Sequence, residues 1–241
     1  MNLLQQFDQV AIINLPERGD RRRETIREFM RAGWSVDQEN VMFFPAIRPA
    51  SPEGFPSSGV RGCFLSHMHA IRQASRDGAG SILIMEDDIA FRKDADRIGL
   101  EAIEELGDKS WDIIYFGHAL EAGSIPADRK MEKISEPLLL AHFYALNGRC
   151  FDRFTGFLDE LLLRPAGHPD GGPMHYDGAI STFRMQNPDV DTYVVNPSIG
   201  YQRSSRTDLH PLGIRDTSPL LSPFTKGIRQ AKNAFRRFLD Q

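Results

Sequence analysis

The sequence predicts an α/β protein with a mainly parallel, doubly wound sheet in a single domain. Three observations carry that reading. Through the first half of the chain, short apolar runs rich in β-branched residues alternate with stretches of helical period. One run, Ser81–Met85 (SILIM), is continuously apolar, as expected for a strand covered on both faces. Finally, 241 residues at 41% hydrophobic and 26% charged suffice for one full core without disulfide or metal staples.

The elements follow in order. Val10–Leu15 (VAIINL) reads as a buried strand stopped by Pro16. Gly19-Asp20 makes a turn, with Asp20 as N-cap of a helix to about Ala32 that places Ile26, Phe29 and Met30 on one face and ends at Gly33. Val41–Phe44 is a second strand, and Ala50–Gly59 a Pro/Gly/Ser loop of a length that often carries function. A helix from Gly62 to Arg76 aligns Phe64, Met68 and Ile71 before Gly78-Ala-Gly80 breaks it. Ser81–Met85 then runs directly into Glu86-Asp87-Asp88. A helix near Ala95–Leu106 and a strand over Asp112–Phe116 complete a β-α-β-α-β series.

The second half is less regular. Glu121–Pro137 reads as a polar excursion, Leu138–Leu146 as a strand, and Cys150–Leu163 as an amphipathic helix. The loop Arg164–Pro173 leads to a short helix over Asp177–Met185 and a late strand, Thr192–Asn196. The domain is expected over residues 1–215, with 216–241 as linker and basic amphipathic C-terminal helix.

Composition narrows the function. A net charge of −4 gives no bulk reason to expect a nucleic-acid partner. Cys63 and Cys150 match no CxxC or Cys/His zinc spacing, so a reducing compartment is expected. The start, MNLLQQFDQ, has no basic n-region, and no window approaches 18 uninterrupted apolar residues. The chain reads as cytoplasmic.

The acidic triplet is the first feature with chemistry. Open α/β sheets bind ligands beyond the carboxyl ends of their strands, where Glu86, Asp87 and Asp88 fall. Adjacent carboxylates repel, so a site that gathers them usually holds a cation, and hard oxygen donors suit Mg²⁺ or Mn²⁺ beside substrate phosphates. Alternation along an extended backbone would put Glu86 and Asp88 on one side and Asp87 on the other. A solvated turn capped by Asp88 is the bland alternative. Near the first strand, Arg18, Arg21, Arg22 and Arg23 surround a helix start suited to anions, although Glu17, Asp20 and Glu24 could simply pair with them. In Gly62–His67 (GCFLSH), Ser66 and His67 lie close to the expected site, with His67 either lining it or resting in the core.

Together these segments resemble glycosyltransferase family 25, the family of bacterial lipooligosaccharide β-galactosyltransferases and collagen galactosyltransferases. The resemblance rests on INL with Arg18 and Arg22, GCFLSH, ILIMEDD (Ile82–Asp88) and WDIIYFG (Trp111–Gly117). It continues more loosely through AHFYALN (Ala141–Asn147), HYDGAIS (His175–Ser181) and NPSIGYQRSSRTD (Asn196–Asp208). It implies a GT-A-like fold, a UDP-hexose donor, a divalent cation (Mn or Mg) and inversion at the anomeric carbon. The family's metal motif maps onto Glu86-Asp87-Asp88, here ExD where many GT-A enzymes have DxD. On that basis Asp88 is a metal ligand, with Glu86 either beside it directly or through water, or not at all, and His210 as a third. Asn14, Arg18, Arg22, Ser66, His67, Asp87, Arg203 and Arg206 bind the donor. Asp177, which otherwise reads as an N-cap, is the general base.

The acceptor is expected to be a glycan or lipid-linked glycan of a bacterial surface polysaccharide. From Phe224 onward, Lys226, Arg229, Lys232, Arg236 and Arg237 face a single acid, Asp240, on an amphipathic stretch. Such a helix can lie on an anionic bilayer, or pack on the domain or a second subunit. The competing reading from another class is a catalytically silent, GT-A-like nucleotide-sugar-binding module.

Overall fold

The computed structural model describes residues 1–120 and 123–203. The linker and C-terminal helix expected over 216–241 lie outside the described residues, as do Arg206 and His210.

A 3₁₀ turn, Leu3–Gln6, precedes the first strand, β1 (Gln9–Asn14). The chain continues through α1 (Gly19–Arg31), β2 (Val41–Pro45), α2 (Ser58–Arg76), β3 (Ser81–Glu86), β4 (Ile89–Phe91) and α3 (Ala95–Leu106). It then forms β5 (Ile113–Tyr115), β6 (Met131–Lys133), β7 (Phe143–Asn147), α4 (Gly148–Leu163), α5 (Tyr176–Gln186), β8 (Thr192–Val195) and β9 (Gly200–Gln202). Seven strands make one sheet in the order β2-β1-β3-β7-β5-β8-β6, and β4 pairs with β9 in a separate ribbon.

β1, β2, β3, β5 and β8 run one way; β7 and β6 oppose them. The sheet is therefore mainly parallel, with an antiparallel β7 wedged at its centre between β3 and β5. Period-2 alternation splits each strand between two cores. Ala11, Ile13, Ile82, Ile84 and Tyr144 pack with α2, α4 and α5, while Val10, Ile12, Leu83, Met85 and Phe143 pack with α1, α3 and the 3₁₀ turn. Helices cover both faces.

Several boundaries differ from the sequence reading for local reasons. Asp20 is not the N-cap of α1: Arg18 holds that position, and Asp20 sits in the first turn. α2 begins earlier than Gly62, because the Ser57 hydroxyl accepts the Val60 N–H and caps the helix there. Asp177 is likewise inside the first turn of α5, with His175 as N-cap. The short strands β4, β6 and β9 fall in stretches without a clear alternating pattern, and three residues are too few to print one.

Candidate active site

Register builds the site. β1 and β3 are parallel neighbours with Ile13 opposite Glu86, so Asn14 emerges beside Asp87 at their shared carboxyl end. Asn14 Nδ2 donates to Asp87 Oδ2 at 2.7 Å. From α1, Arg21 Nη1 donates to Asp87 Oδ1 at 2.8 Å, and one turn later Thr25 Oγ1 donates to the Asp87 carbonyl at 2.7 Å. Beyond β9, Arg203 Nη2 reaches that same carbonyl at 2.8 Å, and its backbone N–H donates to the Asp88 carbonyl at 2.7 Å. Three segments, the end of β1, helix α1 and the residue after β9, thus clamp one turn.

Within that turn the three acids have different surroundings. Both Asp87 oxygens are taken. Asp88 is 3% exposed, lies 4.0 Å from Arg21 Nη1, and keeps Oδ1 buried with no hydrogen-bond partner. Burial, reinforced by Glu86 and Asp87, pushes its carboxyl up to about 7 although Arg21 and Arg203 oppose the shift. Glu86 turns toward α2, accepting from Gln202 Nε2 at 2.9 Å, with Cys63 Sγ at 3.8 Å and His67 Nε2 at 3.4 Å from its Oε1. Burial works to raise Glu86, but His67, His142 and Gln202 outweigh it and hold its carboxyl below the usual value. The simple alternation expected for the triplet fails, because only Glu86 belongs to β3 and Asp87-Asp88 form a turn into β4.

Other expected site residues sort by position. Arg18 is committed to Asp20 at 2.8 Å, and exposed Arg22 lays its guanidinium over Phe43, 4.2 Å from the ring centre. Ser66 is fully buried: its hydroxyl donates to the Gly62 carbonyl at 2.6 Å and accepts the Ile47 N–H at 2.8 Å, so it braces the segment after β2 rather than facing a ligand. The helix can press that closely because residue 62 is glycine; a Cβ there would meet the Ile47 carbonyl oxygen at 2.5 Å. His67 is fully buried, its ring stacked on Tyr176 at 4.2 Å, with Nδ1 2.9 Å from the Tyr144 hydroxyl.

Asp177 is half-buried and accepts backbone N–H groups from Leu140 at 3.1 Å and Gly178 at 2.8 Å. Leu140 stands at a φ of 73°, a left-handed conformation costly for leucine, and that contact helps to hold it. Asp177 also acts on Cys63: burial first, then Glu86, Asp177 and Asp88, raise its thiol well above the ordinary value. Asp177 therefore belongs to the electrostatic neighbourhood of the triplet. Thr25, Gln202 and Cys63 were not foreseen as site residues, and Arg21 only as one of the basic cluster at the helix start; nothing in the sequence pointed to Gln202, but the others carried a signal. Their signal was helical spacing: Arg21 with Thr25, and Cys63 with His67, stand four residues apart on one helix face.

No family model matches the chain. A sequence match of 24% identity over 219 residues links it to the lacto-N-neotetraose biosynthesis glycosyltransferase LgtE of Neisseria meningitidis serogroup B, covering 88% of this chain and 75% of that one. A glycosyltransferase 25 family member of Drosophila melanogaster is 32% identical over 147 residues, and mouse procollagen galactosyltransferase 2 is 26% identical over 150. The fly protein and a further relative from Anopheles gambiae, 28% identical over 138 residues, are both named as glycosyltransferase 25 family members.

These matches cover 50% and 54% of this chain, which spans only 23% and 22% of the length of the fly and mouse relatives. Among solved structures, a glycosyltransferase involved in glycosylation of the major capsid of PBCV-1 aligns at 10% identity and a TM-score of 0.40, covering 78% of this chain and 93% of that one. A197 from STIV aligns at 10% identity and a TM-score of 0.41, covering 87% and 100%. No helix among the described residues is long and apolar enough to cross a membrane.

Proposed function

We propose that this chain transfers a hexose, galactose or glucose, from a UDP-sugar to a glycan acceptor in bacterial surface polysaccharide synthesis, inverting the anomeric carbon with the help of a divalent cation. The observation that carries the reading is Asp88: a buried carboxylate with an unpartnered oxygen, fixed in a turn that three other segments clamp. Leaving such a group unpaired is costly, and the cost is offset where a cation meets it. Hard oxygen donors fit Mn²⁺ or Mg²⁺, so Asp88 and Glu86 are the residues that would hold it. When bound, the cation neutralises charge developing on the departing nucleotide.

The chain's own residues do the rest. Asn14 and Arg21 fix Asp87, and through it the direction of Asp88. Arg18 and Arg22 flank the start of α1, where a diphosphate exchanges for Asp20 on Arg18. Arg203 ties β9 to the turn and to Glu24, closing the site from the C-terminal side. Asp177, oriented by two backbone donors, takes the proton from the acceptor hydroxyl. Arg206 and His210 would extend the donor and metal sets from beyond the described residues.

The test is UDP release from a panel of nucleotide sugars, with and without Mn²⁺, by the wild type and Asp88→Asn. Metal-stimulated release that is lost in Asp88→Asn is expected. Full activity in excess chelator refutes the metal role, and no release from any donor leaves the silent binding module. Peripheral membrane contact through the segment from Phe224 is part of the same proposal. Co-sedimentation with anionic liposomes should fall on truncation at Pro223, and equal binding discards it.

A further inference from the structure

Beside the carboxylate turn lies a second constellation with different chemistry. Among the described residues, Cys63, His67 and Glu86 place one donor atom each within 4.8 Å of one another. We propose that these three side chains form a binding site for a single thiophilic divalent cation with the chemistry of Zn²⁺.

Three observations support it. First, the spacing is nearly that of an assembled site. With zinc–ligand bonds of about 2.0–2.3 Å at tetrahedral angles, nitrogen and oxygen ligands stand about 3.4 Å apart, and sulfur and oxygen about 3.6 Å. His67 Nε2 and Cys63 Sγ lie 3.4 and 3.8 Å from Glu86 Oε1. Small side-chain adjustments would bring all three onto one ion.

Second, His67 is fully buried, yet its Nε2 has no hydrogen-bond partner and faces the other two donors. Its other nitrogen is engaged by Tyr144, whose hydroxyl meets that of Tyr176 at 2.8 Å. A histidine held from behind by a hydrogen bond, with its front nitrogen turned toward other donors and not hydrogen-bonded, is how metal-ligating imidazoles are oriented. Third, the arrangement is rigid and reachable. Cys63 and His67 lie one turn apart on α2, whose close seating depends on Gly62, while the Glu86 side chain is 21% exposed and offers an entry path.

On binding, the Cys63 thiol proton leaves to solvent and the sulfur takes the metal. The donor set separates this site from the one proposed at Asp88. A thiolate and an imidazole select a soft or borderline cation, whereas carboxylate oxygens alone select a hard one. Glu86 is common to both, so on the reading proposed above a soft cation would withdraw it from the catalytic turn and inhibit transfer.

Cobalt(II) is the probe, because a thiolate ligand gives a sulfur-to-metal charge-transfer band and a tetrahedral site gives intense d–d absorption. Titration of the full-length chain should show both features, saturating at one cobalt per chain and displaced by equimolar Zn²⁺. Cys63→Ser should abolish the charge-transfer band while Cys150→Ser retains it, with circular dichroism confirming that each variant is folded. Absence of the band in the wild type, its persistence in folded Cys63→Ser, or its loss only in Cys150→Ser would overturn the proposal. Cobalt held by carboxylates alone gives no sulfur band. The readout needs no donor or turnover, so it stands or falls independently of sugar transfer.

Discussion

Asp87 and Asp88 are neighbours in the chain, yet the protein treats them in opposite ways. Asp87 faces α1 and is saturated: Asn14 and Arg21 fill its carboxylate oxygens, and Thr25 and Arg203 fill its carbonyl. Asp88 is buried to a similar depth but keeps an empty oxygen and a raised pKa. Saturation is what a structural carboxylate needs, because a buried charge is tolerated only when its partners are in place. An unsaturated neighbour held by the same clamp is preorganised for something that arrives later. On the proposed function, architecture falls to one acid and chemistry to the other.

The largest effect expected from that division is functional. Asp88→Asn should lower transfer about a thousandfold, the several kcal/mol that a lost metal ligand removes from the transition state. Its thermal midpoint should not fall, since the change removes a buried carboxylate whose charged form burial disfavours and whose Oδ1 has no partner. A midpoint lowered as far as in Asp87 variants would erase the distinction.

Asp87→Ala should do the converse. It removes one buried acceptor from Asn14 and from the mostly buried Arg21, at a cost of about 1–3 kcal/mol. Urea unfolding measures this directly. A loss below about 1 kcal/mol would show that the clamp does not depend on Asp87.

Two histidines sharpen the same contrast. Whereas His67 leaves one nitrogen without a hydrogen bond, His118 uses both: Nε2 lies 2.8 Å from the Val195 carbonyl, and Nδ1 accepts from Leu120 N–H at 3.3 Å. Burial pushes its imidazole down to about 4 from an ordinary 6.5. Between those values the unfolded chain binds the proton and the folded one does not, so stability rises with pH. The contribution is complete above about 6.5 and lost progressively as pH falls toward 4, amounting to about 3 kcal/mol at most. Urea midpoints at pH 7.5 and 5 should therefore differ less in His118→Gln than in the wild type. An identical pH slope would show that other groups set the acid response.

How much of this was legible in the sequence follows from the range of the interactions. Helix α3 is found over Ala95–Leu106 as its periodicity predicts, and the apolar run before Glu86 is a strand buried on both faces because hydrophobic pattern is a local signal. The antiparallel insertion of β7 was not legible, since strand direction depends on a partner 60 residues away rather than on the strand's own pattern. At the site, the carboxylates announced themselves by their position after that strand. Their unequal partners did not: Arg203 was expected at the site, but which group each of Arg21, Thr25, Gln202 and Arg203 holds is set by tertiary register.

Ser66 marks the boundary between those two kinds of information, and it carries the smallest expected effect. Sequence places it in GCFLSH, next to a site, which suggests contact with the donor. In the fold its hydroxyl links Gly62 and Ile47 and is completely enclosed. Ser66→Ala should therefore cost about 1–3 kcal/mol of stability, the usual penalty for leaving a buried N–H unpaired, while KM for the nucleotide sugar stays within twofold of wild type. Thermal unfolding and donor saturation curves separate the two outcomes. A KM raised tenfold at unchanged stability would move Ser66 from the brace beneath the site into the site itself, and would mean that α2 opens toward the donor when it binds.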